Sequence, residues 1–329
     1  MAKKQYVIGV DLGGTNVRAA VVEEATGKIA ARSANVPSRA LDGAEFTAQQ
    51  IAEAVKQAIS NGEVDADNVL GIGMAVPGHI HPKEGEVLWA PNFKDQWRGV
   101  PLAKMVSELT DDSKVYLGND ANLAAFGEYQ YGAGRGSRHL VMFTLGTGIG
   151  GGIIIDGNLL TGSDGGAGEL GHIFIAGGCA DARGGLAMFG TLEGMAQRDA
   201  ITERAARKVA AGRKTLLAEG VFDRHLLTPK AVGDAAAKGD PLALEVMEET
   251  GYYIGLGVAS CINIFNPEVF VIGGGIAQAG KVLFDPIIRT AQANAISTLY
   301  ARCRIVEAEL GDNAGIMGGA ALVSHEAGK

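Results

Sequence analysis

The chain has 329 residues, 47% hydrophobic and 20% charged, with a formal net charge of −8. The length exceeds one comfortable core and predicts two domains. The acidic balance and the lack of a long Lys/Arg block argue against nucleic-acid and anionic-membrane partners, but not against a small phosphate ligand held by backbone N–H groups. Cys179, Cys261 and Cys303 are widely spaced and odd in number, as expected of a reducing cytoplasm without a disulfide frame. The apolar run in the opening MAKKQYVIGVDLGG is too short for a signal peptide, and no run reaches transmembrane length. The 49 glycines are about twice the usual share. They cluster as GG, GTG and GGG, which predicts that backbone approaches something closely at several places.

Residues 5–36 read as three strands. Tyr6–Val10 alternates into Asp11, Val17–Val22 follows a glycine pair, and Thr26-Gly27 turns into Ile29–Val36. Residues 44–60 have helical spacing through Phe46, Ile51, Val55 and Ile59. Residues 69–78, "VLGIGMAVPG", read as a buried strand ending in a Pro-Gly turn. Residues 114–132 read as a strand, a polar stop at Asn119-Asp120, and a helix. From His139 the opening plan repeats: strand, glycine loop, strand, Asp-Gly turn, strand. A third cluster, in "VFVIGGGIAQAG" (269–280), ends an apolar strand and enters a helix. Residues 195–260 read as mainly helical, and the last helix starts near Asn313. Two similar halves with glycine loops imply a duplicated α/β domain around a cleft.

Three phosphate-loop motifs are set aside. Gly146-x-Gly148-x-x-Gly151 spells a dinucleotide fingerprint, but that needs a helix next, and "GIIID" predicts a strand. The lysine and H-R-D partners of a protein-kinase loop are lacking, and no G-x-x-x-x-G-K-[ST] occurs. Two hairpin glycine loops instead suit a triphosphate, because each turn presents N–H groups with no side chain in the way. Asp11 adds a carboxylate for a phosphate-bound Mg²⁺, and Thr15 and Thr147 add hydroxyl donors. Tight-turn glycine is the competing explanation for one loop. It is weaker for three loops at strand ends with Asp and Thr in place.

Asp11-Leu12-Gly13-Gly14-Thr15, Leu145-Gly146-Thr147-Gly148 and Gly273-Gly274-Gly275 resemble the phosphate 1, phosphate 2 and adenosine motifs of the actin/Hsp70/hexokinase ATPase superfamily. Within it, "MAVPG", "NDANLAAFGE", "GTGIGGGII", "GAGELGH" and "DNAGIMGGAAL" match the ROK family in order, over nearly the whole chain. The likeness is greatest to that family's bacterial glucokinase branch. The resemblance implies an α/β fold of two ribonuclease-H-like (actin-like ATPase) domains with an interdomain cleft. Residues 1–118 plus 312–329 would form the smaller domain and 119–311 the larger.

The resemblance also implies roles. Asp120 stands where the family places the catalytic base, which accepts the sugar hydroxyl proton late in phosphoryl transfer. An N-cap is the structural alternative for Asp120, but Asn119 beside it can cap as well, and two adjacent caps are not needed. Asn119, Glu169, His172 and Glu193 match the sugar-hydroxyl ligands, since carboxylates and an imidazole satisfy paired O–H groups directionally. Gly78 would bring backbone to the sugar, and Asn92 in "APNF" is a further candidate. Gly13, Gly14, Thr15, Gly146, Thr147 and Gly148 would hold the phosphates of ATP, Gly274 and Gly275 the adenosine, and Asp11 the Mg²⁺.

One departure stands out. Many family members carry a structural zinc, bound by the histidine of an E-x-G-H element and three cysteines of C-x-C-G-x-x-G-C-x-E. Counted back from Glu193, the cysteine positions fall on Gly184, Leu186 and Thr191, none of them a zinc ligand. Cys179 and His172, with Asp181 as a weak third, do not build such a site. No structural zinc is expected, and residues 177–190 are expected to be ordered by packing through Leu186, Met188 and Phe189. The implied activity is ATP-dependent phosphorylation of the 6-hydroxyl of glucose in the cytoplasm, by a homodimer. The alternative is another sugar (fructose, mannose, N-acetylglucosamine or N-acetylmannosamine) on the same machinery. A sugar-sensing repressor needs an N-terminal helix-turn-helix, and the first strand begins at residue 5. A chaperone or filament ATPase does not need Asn119-Asp120 with Glu169 and His172.

Overall fold

The secondary structure follows the sequence pattern closely in a computed structural model, which describes residues 4–93, 97–176, 190–221 and 225–329. The strands and helices of the first part are β1 (Tyr6–Leu12), β2 (Asn16–Glu23), β3 (Ile29–Arg32), β4 (Val36–Pro37), α1 (Ala44–Gly62), β5 (Val69–Val76), β6 (His79–His81), β7 (Glu86–Trp89), β8 (Arg98–Val100), α2 (Leu102–Leu109), β9 (Val115–Asn119) and α3 (Asp120–Tyr131). Then come β10 (Leu140–Leu145), β11 (Ile149–Ile155), β12 (Asn158–Leu159), α4 (Leu192–Ala196), α5 (Arg198–Ala210), α6 (Pro229–Ala237), α7 (Pro241–Phe265), β13 (Val269–Gly273), α8 (Lys281–Asn294), α9 (Ser297–Tyr300), β14 (Arg304–Glu307) and α10 (Ala314–Ala327).

One expected strand is divided. The run from Ile29 to Val36 stops at Arg32, and β4 pairs separately with β2 near Asn16. The reason is local: the Ala19 N–H donates to the Ser33 hydroxyl at 3.0 Å, so a side chain takes a ladder position. Pro37 then has no N–H to extend the pairing.

The chain divides into two compact units. The first comprises the chain up to Ser137, Gly152–Gly168 and Glu309–Lys329; the second comprises Arg138–Gly151 and Glu169–Ala308. The sequence-expected boundary after residue 118 differs from this division, because α3 packs on α10 and stays with the first unit.

In the first unit the sheet order is β3-β2-β1-β5-β9, with β1, β5 and β9 parallel. Alternation sends Ile8, Val10 and Leu12 to one face, against Ile51 and Val55 of α1 and Val106 of α2. Val7, Ala20 and Val22 go to the other face, against Ile316, Met317, Ala320 and Val323 of α10. That helix lies with its backbone on the sheet. A Cβ at Gly9 would sit 1.9 Å from the Ile316 carbonyl oxygen, and one at Gly73 would sit 2.0 Å from that of Gly319.

A second sheet has the order β12-β11-β10-β13-β14, in which β10, β13 and β14 are parallel. So strand, glycine loop, strand does occur twice. Within the second unit, α7 packs along α8, and Asp240 caps it through the Ala243 N–H at 2.9 Å. Gly251 and Gly255 bring the two helices close: added Cβ atoms would lie 2.5 Å from Pro286 and 2.6 Å from Thr290. No helix among the described residues is long and apolar enough to cross a membrane.

Candidate active site

In the first unit, the carboxyl ends of three adjacent parallel strands bring the predicted residues together. Asp11 of β1 lies opposite Ala75 of β5, and Val76 of β5 lies opposite Asn119 of β9. Ligands of open α/β sheets bind outside such strand ends. After β1 the chain turns through Gly13–Thr15, closed by the Gly13 N–H donating to the Asn16 carbonyl at 2.9 Å. Ser38 backs the turn. Its N–H donates to the Thr15 carbonyl at 2.8 Å and its hydroxyl to the Gly14 carbonyl at 2.9 Å. A Cβ added at Gly14 would meet nothing within 4 Å. Asp11 accepts from the guanidinium of Arg18, its cross-strand partner, which also donates to the Asp312 carbonyl at 3.1 Å.

At the junction of β9 and α3 the two adjacent polar residues take different parts. Asn119 is the helix cap: its Oδ1 accepts from the N–H groups of Ala121 at 2.9 Å and Asn122 at 3.1 Å. Its Nδ2 donates to the Gly78 carbonyl at 3.1 Å, so one side chain pins two loops. Asp120 is the first residue of the helix and is exposed, with Oδ1 also accepting from the Ala121 N–H at 2.9 Å. Gly78 has a φ of 109°, and a Cβ there would lie 2.4 Å from the Trp89 carbonyl oxygen. The site therefore requires glycine for both reasons. Asn92 is exposed in a short 3₁₀ turn after β7, and no hydrogen bond among the described residues joins it to this group.

In the second unit, β10 and β13 run parallel with Thr144 opposite Gly273, which sets the loops after them side by side. Gly274 has a φ of 91°, and a Cβ there would lie 2.3 Å from the Leu145 carbonyl oxygen. That carbonyl accepts the Ile276 N–H at 3.2 Å. The loop Gly146–Gly148 is closed by the Gly146 N–H donating to the Gly148 carbonyl at 2.9 Å. Added Cβ atoms at Gly146 and Gly275 would meet nothing within 4 Å. Two open glycines thus line adjoining loops.

Glu193 sits in the first turn of α4, which Thr191 caps through the Gly194 N–H at 3.1 Å. Its Oε2 accepts the Ile149 N–H at 2.7 Å, one residue beyond the glycine loop. A Cβ at Gly148 would lie 2.4 Å from that same oxygen. Glu169 and His172 flank a 3₁₀ turn that packs on α4, with Oε2 and Nε2 3.8 Å apart. A Cβ at Gly171 in that turn would lie 2.0 Å from the Ile149 carbonyl oxygen. The backbone of that turn and the Glu193 carboxylate thus meet at one residue, Ile149.

Three contributors were not expected from the sequence. Arg18 follows from the register of the first hairpin, which places it opposite Asp11. Asn122 donates to the Ala167 carbonyl at 3.2 Å and so holds the chain just before Glu169. Its Oδ1 is buried with no hydrogen-bond partner among the described residues. Arg198 reaches the Thr147 hydroxyl at 3.3 Å across 51 residues of chain, a separation that no local pattern encodes. Among the described residues no group of three or more His, Cys, Asp and Glu side chains is placed to hold a metal ion. Cys179, Asp181, Gly184, Leu186, Met188 and Phe189, on which the zinc reading turns, lie outside the described residues.

Comparison with known proteins bears on the whole chain. The model of the ROK family matches residues 7–326. The chain is 37% identical to a glucokinase of Halalkalibacterium halodurans, over 98% of this chain and 96% of that one. It is 35% identical to a glucokinase of Thermotoga maritima, over 99% of both. Among solved structures it is similar to a ROK family glucokinase from Streptomyces griseus in complex with glucose and AMPPNP. The TM-score is 0.77 at 34% identity, covering 96% of this chain and 98% of that one.

Proposed function

Because the chain belongs to the ROK family and has its actin-like ATPase two-domain fold, we propose that it is an ATP-dependent glucokinase. It transfers the γ-phosphoryl group of ATP to the 6-hydroxyl of glucose. The observation that carries this reading is the division of labour at the start of α3. Asn119 caps the helix through two N–H groups, so the cap does not depend on Asp120, whose exposed carboxylate shares the Ala121 N–H and is the base that takes the hydroxyl proton. The proton moves late, after the phosphoryl group has largely left its donor.

The sugar hydroxyls are held by Asn119, Glu169, His172 and Glu193, with the Gly78 backbone and Asn92 as further contacts. Glu193 acts through Oε1, since Oε2 already accepts from Ile149. The phosphates of ATP lie on Gly13–Thr15 and Gly146–Gly148, and the nucleoside on Gly274 and Gly275. Openness beside Gly14, Gly146 and Gly275 supports this: each leaves a space where a Cβ would meet nothing. The hard carboxylate of Asp11 suits Mg²⁺, which takes one or two protein oxygens and otherwise waters and phosphate oxygens. Mg²⁺ supplies neutralisation of phosphate charge there, and Arg18 fixes the orientation of the carboxylate. The same reading places the protein in the cytoplasm as a homodimer, with exposed Tyr252 and Ile264 of α7 as contacts.

An ADP-coupled assay over a hexose panel, with and without ATP and Mg²⁺, tests the activity. Glucose is expected to give the highest kcat/KM, and sugar-independent ATP turnover alone would refute the assignment. Asp120→Asn is expected to abolish turnover while glucose affinity stays within about tenfold. Retained turnover in that variant would remove Asp120 from the role of base.

A further inference from the structure

We propose that Arg198 is a nucleotide-positioning residue that arms the Gly146–Gly148 loop, fixing the Thr147 hydroxyl and placing a cation beside a phosphate of ATP. The inference rests on the kinase reading above and adds a residue to it.

A threonine oxygen has one proton to donate and two lone pairs. The Arg198 Nη1 donates to Thr147 Oγ1 at 3.3 Å. That bond occupies a lone pair and leaves the single threonine proton for another acceptor. A phosphate oxygen on the loop is such an acceptor. Without Arg198 the hydroxyl is free to rotate, and orienting it on binding costs affinity.

Arg198 is itself held in place. Its backbone N–H donates to the Gly146 carbonyl at 3.1 Å, so α5 begins against the loop. Its Nε donates to Asp199 at 2.8 Å. The Gln197 side chain caps the same turn through the Asp199 N–H at 3.0 Å. Two of the five guanidinium N–H groups are used in this way, and the side chain is 49% exposed. Among the described residues, three donors remain for a ligand.

Charge gives the second reason. The loop ends at Ile149, where the Glu193 carboxylate is bound, and the whole chain carries −8. A triphosphate approaching this loop meets an anion at one end. Arg198 brings a guanidinium to the Gly146 end, where Asp199 shares its charge and fixes its Nε edge. Guanidinium also suits phosphate through its forked donors.

The test compares Arg198→Ala, Arg198→Gln, Arg198→Lys, Thr147→Val and the Arg198→Ala/Thr147→Val double variant. Arg198→Ala and Arg198→Gln are expected to raise the KM for ATP about tenfold or more. The KM for glucose and the affinity for adenosine should stay at wild-type values. Inorganic tripolyphosphate should bind the same two variants more weakly by calorimetry. Arg198→Lys should recover part of the loss, and the double variant should be little worse than the worse single one. A structural role alone would not separate tripolyphosphate from adenosine. Wild-type KM for ATP and wild-type tripolyphosphate binding in Arg198→Gln would overturn the proposal while leaving the kinase intact. If the wild-type protein phosphorylates no hexose with ATP, the kinase reading falls instead. Arg198 then falls with it unless tripolyphosphate still binds in an Arg198-dependent manner.

Discussion

The glycines of the two hairpin loops are not equivalent, and the difference makes a test. Gly78 and Gly274, in the loops after β5 and β13, are required by their backbone neighbours Trp89 and Leu145, whereas at Gly148 an added Cβ would meet only the movable carboxylate of Glu193. Gly14 and Gly146 have no such neighbour and no positive φ. Alanine there should cost little stability, and fixing the backbone can even help slightly. If the empty space is where phosphate sits, Gly14→Ala and Gly146→Ala should leave the melting temperature within a few degrees of wild type and weaken ATP at least about tenfold. Unchanged ATP affinity in both would show that these loops hold no phosphate. Other site residues were less legible. The resemblance makes Asp120 the base, but the sequence leaves open whether Asn119 or Asp120 caps the helix. The cap falls to Asn119 because its amide also reaches Gly78, 41 residues away. Glu193 was read as a sugar ligand from the motif alone. Its bond to the Ile149 N–H spans 44 residues, and nothing in the local pattern of either segment carries that contact.

At the scale of elements, the same glycine count carries two meanings. The clusters read as places where backbone meets a ligand, and loops 13–15 and 146–148 fit that. Gly9, Gly73, Gly318 and Gly319 instead let α10 lie against the sheet and against α3, with Cβ clearances of 1.9–2.2 Å to carbonyl oxygens. Sequence cannot separate these uses, since both demand a missing side chain. Helix and strand spans were far easier, because apolar periods of two and 3.6 are local. The α7 cap shows how such an element responds to pH. Burial opposes the charged form of Asp240, but the N–H groups of Ala243 and Leu216 and the Thr215 hydroxyl outweigh it, and its carboxyl lies below the usual range. A lowered folded value contributes stability above the unfolded value of about 3.9, and that contribution is lost as pH falls through the folded value. Asp240→Asn should therefore melt below wild type at about pH 7, and the gap should narrow toward about pH 3. A gap that stays constant between those pH values would mean that the carboxylate charge adds nothing to the cap.

For the whole molecule, the relevant fact is how often the chain changes units. It crosses after Ser137, Gly151, Gly168 and Ala308, so the first unit is assembled from three separate stretches. Glu128, fully buried on α3, ties two of these stretches together. Its carboxylate accepts from the Ala133 N–H at 2.8 Å, shortly before the first crossing. It also accepts from Glu309 at 3.1 Å and Leu310 at 2.7 Å, directly after the last crossing. Three N–H groups make the buried charge tolerable, and removing two of them leaves it poorly solvated. A chain ending at Ala308 loses those two donors and all of α10. It also uncovers Val7, Ala20 and Val22, which Ile316, Met317 and Val323 now bury. Each of those three large side chains contributes about 1.5–3 kcal/mol, and their sum is comparable to a typical net stability of about 5–15 kcal/mol. The truncated chain is expected to show no cooperative melt of the first unit by calorimetry and to bind neither ATP nor glucose. A truncated protein with a wild-type melting profile would mean that the last stretch only decorates the first unit. Glu128→Gln separates the two causes. It keeps α10 but gives up the charge, so it should melt cooperatively at a temperature between those of the wild-type and truncated chains.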